Sequence, residues 1–433
     1  MQMQPKYKII TSARAMDSTC SKVKLCDVLL RYDTREHNAT PSAIMYGKYR
    51  ANRFTTDDQV IHLGTPDGLT IIDADGRMVA PSFVDMCAHV ASPSGVGDDI
   101  ASATLSARAG GWSTIVATPR NIPCPDTGLT YSQLTRQLST WAACHVIQAA
   151  PLTLGQRGVA LCDFDELCDH GARIFSDGDG VYLPSAVLYA AMEELGKRDC
   201  LLILGKSDDG IVGNGKINLG QASRALGLVG IPPCAESVAV SRSILLAAQT
   251  DCAVHIPVVS TKAAIDIVRS AKLQGIRVTC GISPHHFSLT ENDVAFYGAN
   301  AVFSPPLRTQ IDREAVIEAL ADGTIDCISS CHTPLTASQK RTSTEEATPG
   351  SVAFEITFSA CVTYLLEPGH MNITQILRLL SLNPARIIGA NTTSPVMLDL
   401  DREIVFTRMT MSGNCYNTPF FGSAMRGAVD VVV

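Results

Sequence analysis

Residues Phe83-Val-Asp-Met-Cys-Ala-His-Val90 decide the fold, because they form a nearly continuous apolar run of strand length. A helix is predicted over residues 98–109, ends at Gly110-Gly111, and is followed by a second apolar strand over residues 113–118. Strands that are apolar along their whole length are typical of a parallel sheet covered by helices on both faces. The stretch therefore predicts a β-α-β unit of an α/β fold.

The same alternation of strand and helix continues to about residue 390. Apolar strands are centred near residues 85, 115, 148, 175, 202, 255, 280 and 328, which makes eight, and helical patterns separate them. Eight strands, each followed by a helix, match the count of a (β/α)8 barrel. We therefore predict an α/β protein with a TIM-type (β/α)8 barrel over residues 81–390.

Both ends of the chain have β character instead. Residues 1–80 contain short β-rich runs with turn signals at Asp67-Gly68 and Asp75-Gly76, and residues 391–433 contain further β-rich runs. We expect these two segments to form one small β domain beside the barrel. The polar segment 34–58 is predicted to be a loop or an insertion.

Composition excludes several classes of protein. Of 433 residues, 46% are hydrophobic and 18% are charged, which excludes a disordered chain. The 35 Lys and Arg residues against 42 Asp and Glu give a net charge of −7, so no nucleic-acid surface is expected. No apolar run is long enough to span a membrane, and residues 1–8 lack the apolar core of a signal peptide. We expect a cytoplasmic protein.

The fifteen cysteines are compatible with a disulfide framework, a metal protein, or a reduced chain that uses Cys as a small apolar residue. The sequence contains no C-x-x-C pair, which argues against a zinc ribbon or a thioredoxin-like site. Disulfide scaffolds are short and secreted. Most of the cysteines are therefore predicted to be reduced thiols.

Active sites of such barrels lie at the carboxyl ends of the strands. Strand one ends at Cys87-x-His89, where an H-x-H pair would place two imidazoles on one face of the strand, within reach of one metal. The other polar candidates that follow strands are Asp177, Asp179, Lys206, His255, His285, His286, Cys331 and His332.

Several stretches of the sequence resemble the cyclic amidohydrolases, and dihydroorotase in particular. In the order and spacing of that family they are Val79-Ala-Pro-Ser-Phe-Val-Asp85, Phe175-Ser-Asp177, Gly227-Leu-Val-Gly-Ile-Pro-Pro233, Pro305-Pro-Leu-Arg308, Asp322-Gly-Thr-Ile-Asp326, Leu382-Asn-Pro-Ala-Arg386 and Asn417-Thr-Pro-Phe-Phe-Gly422. The resemblance implies a barrel that binds zinc after strands one, four, five and six. It also implies a catalytic Asp after strand eight.

The same resemblance assigns positions in this chain, and most of them depart from the family pattern. The positions of the metal ligands (two His, a carboxylate or carboxylated Lys, and two further His) are Cys87, His89, Asp177 (Asp179 if the match shifts), Lys206 and Val258. The position of the catalytic Asp is Cys331. The positions of three substrate-binding residues, an Arg and two Asn, are Ala91, Arg120 and Ser304.

These departures argue against the family reaction. A lysine ammonium repels a zinc ion unless desolvation lowers its pKa, and valine has no ligating atom. Cysteine replaces a carboxylate base only as a thiolate with a perturbed pKa. We predict that Lys206 and Asp177 form an ion pair in place of the metal, and that the chain has neither catalytic residues nor a cofactor.

A rewired zinc site is the alternative. Strands one and eight are neighbours in a closed barrel, so Cys87 and Cys331 can approach each other, and thiolate, imidazole and carboxylate groups all bind zinc. The alternative ligand set is Cys87, His89, Asp177 and Cys331. His332 follows Cys331 directly, so the two side chains are expected to point apart. A disulfide between Cys87 and Cys331 is a third option, which a reducing compartment disfavours.

Within the family, the stretches Gly230-Ile-Pro-Pro-Cys-Ala-Glu-Ser-Val238, Pro305-Pro-Leu-Arg-Thr309 and Ile328-Ser-Ser-Cys-His332 are similar to those of catalytically inactive dihydroorotase-like chains. Those chains assemble with aspartate transcarbamoylase. The resemblance implies a structural or regulatory subunit in pyrimidine synthesis, with six copies bound to six transferase chains. An active zinc dihydroorotase, or another cyclic amidohydrolase with an unusual site, is the alternative. The loop 336–350 is expected near the opening of the pocket.

Overall fold

The structure is a computed structural model that describes residues 6–17, 19–32, 41–50, 53–63, 69–90, 97–178, 183–390 and 394–431. Within these residues the strands are, in chain order, β1 (Lys6–Met16), β2 (Val23–Tyr32), β3 (Ala43–Arg50), β4 (Arg53–Thr55), β5 (Val60–His62), β6 (Leu69–Asp73), β7 (Met78–Pro81), β8 (Phe83–Ala88), β9 (Trp112–Ala117), β10 (His145–Gln148), β11 (Ile174–Phe175), β12 (Leu201–Ile203), β13 (Ile217–Asn218), β14 (Gly230–Ile231), β15 (Ala253–Ile256), β16 (Val278–Ile282), β17 (Cys327–Ile328), β18 (Pro395–Val405) and β19 (Ala424–Val431).

Helices follow most of the strands from β8 onward. They are α1 (Ile100–Ala109), α2 (Gly128–Trp141), α3 (Phe164–Asp169), α4 (Ser185–Lys197), α5 (Asp209–Val212), α6 (Gln221–Leu226), α7 (Cys234–Thr250), α8 (Lys262–Leu273), α9 (Pro284–Ser288), α10 (Val294–Tyr297), α11 (Gln310–Asp322), α12 (Ala337–Lys340), α13 (Thr357–Cys361), α14 (Ile373–Leu377) and α15 (Asn383–Ile388). In the described part of the chain, no helix has the length and apolar character needed to cross a membrane.

The barrel is built from β8, β9, β10, β11, β12, β15, β16 and β17, which lie at all eight predicted positions. Parallel pairing runs through β10–β9–β8 and through β11–β12–β15–β16–β17. A single bridge between Ala150 and Phe175 joins the two groups. The predicted α/β fold with a (β/α)8 barrel is confirmed, because each buried apolar strand is followed by a helix that covers it.

The second sheet contains strands from both ends of the chain. Its order is β19-β18-β7-β1-β2-β3-β4-β5, and β6 pairs with β1 in parallel. Strand β18 pairs with β7 through Val396 and Ala80, which places the C-terminal hairpin directly beside the chain that enters the barrel.

The loop predicted over residues 34–58 is wrong for most of its length. Strand β3 pairs antiparallel with β2, for example through Ile44 and Leu30, and β4 pairs with β3. Residues 33–40, like the turn at Asp67-Gly68, lie outside the described residues. An antiparallel sheet can leave one face in water, so β3 is only partly buried. The polar residues on either side of β3 in the segment 34–58 therefore hide its strand character.

Aromatic rings anchor the first barrel strands to the helices that follow β17. Phe83 and Trp112 meet edge to face with their ring centres 5.5 Å apart, a favourable geometry for aromatic pairs. The indole N–H of Trp112 donates to the carbonyl of Phe354 at 2.9 Å. Phe83 also stacks on Phe358 of α13 at 5.7 Å. These contacts fix β8 and β9 against the chain that follows β17. They therefore also fix where the carboxyl ends of these two strands lie.

Candidate functional site

A cavity of about 90 Å³ lies beside the carboxyl ends of β11 and β12. Gly178 and Lys206 line it from these strand ends, and Ser304 and Pro305 line it from the segment before α11. Pro349, from the segment predicted as a loop over residues 336–350, also reaches the cavity. Barrel enzymes carry their catalytic groups at the carboxyl ends of the barrel strands. The residues at these strand ends are therefore the candidate site.

The thiols of Cys87 and Cys331 lie in hydrogen-bond contact where the first and last barrel strands meet. Cys331 has a φ of 51°, a left-handed conformation that is uncommon for residues other than glycine. The hydrogen bond with Cys87, together with burial, raises the pKa of the Cys331 thiol well above its usual range. The two sulfur atoms are not joined in a disulfide. A protonated thiol is not a base, so Cys331 is poorly suited to replace a catalytic Asp.

His89 lies just beyond the end of β8, two residues after Cys87. Its backbone N–H donates to the carbonyl of His332 at 2.8 Å. Its Nδ1 atom lies 2.5 Å from Oγ1 of Thr118, which follows β9. These two hydrogen bonds hold the imidazole between the ends of the first, second and last strands.

The carboxylate of Asp177 is bound by the chain that follows β10. One oxygen accepts from the backbone N–H groups of Leu152 at 2.6 Å and Thr153 at 3.1 Å, and the other accepts from the Thr153 hydroxyl at 2.5 Å. Burial raises the pKa of Asp177, and these hydrogen bonds oppose that rise. The predicted ion pair with Lys206 is wrong, because the neighbouring strand end supplies the donors that the carboxylate needs.

Lys206 is 6% exposed, and its ammonium donates to the carbonyl of Ser304 at 3.4 Å. Val258, at the strand-six position, is completely buried. Neither an ammonium group nor an isopropyl group is a zinc ligand. Arg120 and Ser304, two of the three positions that the resemblance assigns to substrate binding, are exposed. The third, Ala91, and the alternative carboxylate Asp179 lie outside the described residues.

The candidate histidines His255, His285 and His286 are buried among the residues that pack the barrel. His255 lies inside it with Nδ1 2.9 Å from Oγ1 of Thr279, and burial lowers its pKa to about 3. His286 is 2.7 Å from the Ser283 hydroxyl through Nδ1 and 3.0 Å from the Pro305 carbonyl through Nε2. The rings of His285 and Phe303 lie 4.4 Å apart.

His332 points away from the cavity into the core. Its ring stacks on Phe354 with centres 4.0 Å apart. Its Nδ1 accepts from the backbone N–H of Ala353 at 3.2 Å. Burial lowers the pKa of His332 to about 3, so the ring is neutral at physiological pH.

The residues at the strand ends do not fit the zinc that the resemblance implies. Across the described ranges, no three or more His, Cys, Asp or Glu side chains form a group that could hold a metal ion. Of the alternative set Cys87, His89, Asp177 and Cys331, the two thiols lie in contact with each other. The Asp177 carboxylate is instead bound by Thr153, so the four side chains do not surround one point.

The sequence did not predict the buried ion pair between Glu236 and Arg308, which lies three residues beyond the cavity-lining Pro305. Arg308 donates to Asn218 at 2.8 Å and to Glu236 at 3.3 Å, and Glu236 accepts from the backbone N–H of Ser260 at 2.7 Å. Both charged groups are nearly inaccessible to solvent. The Pro305-Pro-Leu-Arg308 stretch was the available signal, because a buried Arg at the end of an apolar run requires a partner.

Known proteins with similar sequences are dihydroorotases. Residues 76–264 match the family model described as Dihydro-orotase-like. A dihydroorotase of Geobacillus sp. (strain WCH70) is 35% identical over 367 residues, which cover 82% of this chain and 86% of the relative. A dihydroorotase of Anoxybacillus flavithermus is 37% identical over 368 residues, which cover 82% and 86%.

Solved structures with the same fold are hydantoinases. The L-hydantoinase of Arthrobacter aurescens has a TM-score of 0.81 at 18% identity, covering 98% of this chain and 94% of that one. The D-hydantoinase of Thermus sp. has a TM-score of 0.79 at 19% identity, with the same coverage. At this identity the likeness concerns the fold alone.

Proposed function

The chain belongs to the dihydroorotase-like family of cyclic amidohydrolases, and we propose that it is a noncatalytic member of that family. In this proposal the barrel acts as a structural or regulatory subunit of an aspartate transcarbamoylase complex in pyrimidine biosynthesis. Six copies assemble with six catalytic chains of the transferase. The partner rests on the resemblance of residues 230–238, 305–309 and 328–332 to inactive family members.

The observation that carries the proposal is that groups unable to bind a metal or to act as a base occupy the strand ends. By the resemblance, the family has one imidazole after strand five and another after strand six. This chain has the buried ammonium of Lys206 at the first position and the buried isopropyl group of Val258 at the second. Cys331 hydrogen-bonds with Cys87, and its pKa is raised rather than lowered. Hydrolysis of a cyclic amide by metal-bound water needs both metal ligands and a base. Lys206 and Val258 supply no ligand, and Cys331 supplies no base.

The alternative is an active zinc dihydroorotase, or another cyclic amidohydrolase, with an unusual site. The names of the sequence relatives favour this alternative. An active zinc enzyme would need metal ligands beyond those that the described residues bring together. At least one ligand would have to come from outside those residues.

A hydrolysis assay separates the two functions. Purified protein, with and without added zinc, is incubated with dihydroorotate beside an active dihydroorotase, and ring opening is followed by absorbance. The proposal expects no turnover above that of a heat-denatured sample. Turnover that disappears in Cys331→Ala would establish the alternative.

The assembly is tested separately by mixing the protein with the catalytic chain of aspartate transcarbamoylase from the same source. Light scattering on the chromatographed mixture is expected to give the mass of six plus six chains, and transferase activity is expected to differ from that of the catalytic chain alone. An unchanged transferase together with a separately eluting protein would contradict the proposal.

A further inference from the structure

A second pair of thiols lies at the amino ends of the barrel strands, opposite the candidate site. Cys168 lies in α3, just before β11, and Cys200 directly precedes β12. Their sulfur atoms are 3.8 Å apart. Because a disulfide needs a separation of about 2 Å, a small movement of one side chain would join them.

The surroundings of the pair favour reaction at Cys168. This side chain is partly exposed, whereas Cys200 is only 1% exposed. The guanidinium of Arg173 donates to the carbonyl of Cys168 at 2.9 Å, which places a positive charge beside the pair. Burial and the neighbouring Cys168 raise the pKa of Cys200 to about 12, and Arg173 opposes that rise. A small oxidant therefore reaches Cys168 first, and Cys200 is placed to resolve the product.

We propose that Cys168 and Cys200 are a redox-responsive pair that a hydroperoxide converts to a disulfide. The Cys168 sulfur attacks one peroxide oxygen, the O–O bond breaks, and a sulfenic acid and one water (or alcohol) form. The Cys200 sulfur then attacks the sulfenic sulfur, the S–O bond breaks, and the leaving hydroxide takes the thiol proton as a second water. The peroxide accepts two electrons and the two thiols lose two hydrogens.

The disulfide would secure a short junction in the barrel. Strand β11 pairs with β12 only through Ile174 with Leu201 and Phe175 with Leu202. Its other neighbour, β10, is joined by the single bridge at Ala150. Residues 168 and 200 are 32 positions apart, so the bond also closes a loop that restricts the unfolded chain. For a chain of 433 residues, we expect Tm to rise by about 4 °C on oxidation.

The test uses a Cys234→Ser background, because Cys234 is exposed and would otherwise form bonds between molecules. Protein treated with hydrogen peroxide and then with an alkylating agent is digested and mapped by mass spectrometry. We expect one linked pair of peptides that contain Cys168 and Cys200, lighter by two hydrogens, and a raised Tm that a reductant reverses. Cys168→Ser removes both effects, whereas Cys26→Ser, a partly buried thiol in β2, keeps them.

Trapping the intermediate adds a readout that does not depend on stability. In Cys200→Ser, dimedone should label Cys168 after peroxide treatment, since the resolving thiol is absent. Peptide maps without a Cys168–Cys200 link, or an equal rise of Tm in Cys168→Ser, would overturn the proposal.

Discussion

Asp85 in β8 accepts hydrogen bonds from both the backbone N–H and the hydroxyl of Ser330, 245 residues later in the chain. Beside it, the N–H of His89 donates to the carbonyl of His332 at 2.8 Å. Among the described strands no regular ladder joins β8 to β17. These contacts therefore close the barrel between its first and last strands.

Asp85→Ala is expected to lower the free energy of unfolding by about 3 kcal/mol, because it leaves buried donors without an acceptor. Ser330→Ala removes only the hydroxyl and should cost about 1 kcal/mol. Urea unfolding followed by circular dichroism measures both values. Asp57→Ala, at an exposed bend between β4 and β5, is the control. Equal losses for Asp85→Ala and Asp57→Ala would show that Asp85 does not close the barrel.

Arg308→Met is expected to destabilise the protein by about 3–5 kcal/mol, since it leaves the buried charge of Glu236 unpaired. The double variant Arg308→Met with Glu236→Gln should be less destabilised than the sum of the single variants. Chemical denaturation of the four proteins gives this coupling. Arg402→Met, in the partly exposed pair with Asp430, should cost less than about 1 kcal/mol. Additive losses at Glu236 and Arg308 would contradict the prediction.

Lys340 gives the stability a pH dependence above neutrality. Its ammonium is buried and donates to the carbonyl of Ala299 at 2.7 Å, and burial lowers its pKa to about 7. The unfolded chain keeps the ordinary value of about 10.4. Above pH 7 the unfolded state therefore binds the additional proton, and stability rises with pH, by at most about 1.4 kcal/mol per unit. This stability is fully present above the unfolded-state pKa and is lost progressively as the pH falls to the folded-state value of about 7.

The measurement compares wild type with Lys340→Met in urea between pH 6 and 9. The difference in unfolding free energy should move in favour of the wild type as the pH rises. Lys262→Met removes a lysine at the surface, whose side chain is 57% exposed, and should show no such trend. A difference between wild type and Lys340→Met that is constant with pH would contradict the lowered pKa.

Restoring the family pattern should restore metal binding before it restores activity. The variant Cys87→His with Lys206→His, Val258→His and Cys331→Asp is expected to retain zinc through gel filtration, because three imidazoles and a carboxylate replace groups that do not bind it. Elemental analysis measures the zinc per chain. Lys206→His alone should retain little more than the wild type, since one imidazole does not complete the coordination. A wild-type protein that holds as much zinc as the fourfold variant would contradict the prediction.

The sequence by itself determined the eight barrel strands, since apolar runs of strand length separated by helical patterns are a local property of the chain. It also determined that Val258 cannot bind a metal, because an isopropyl group has no ligating atom whatever its surroundings. Only the tertiary structure decided the partners of polar groups. Asp177 binds Thr153 rather than Lys206, and Cys331 meets Cys87.

The strands in the segment 34–58 and the contact of Cys168 with Cys200 were also decided by the tertiary structure. The physical reason is the same in each case. A hydrogen bond or a thiol contact joins groups that are distant in sequence, and several candidates of the same chemistry compete for it. Packing selects one of them, and the residue types alone do not.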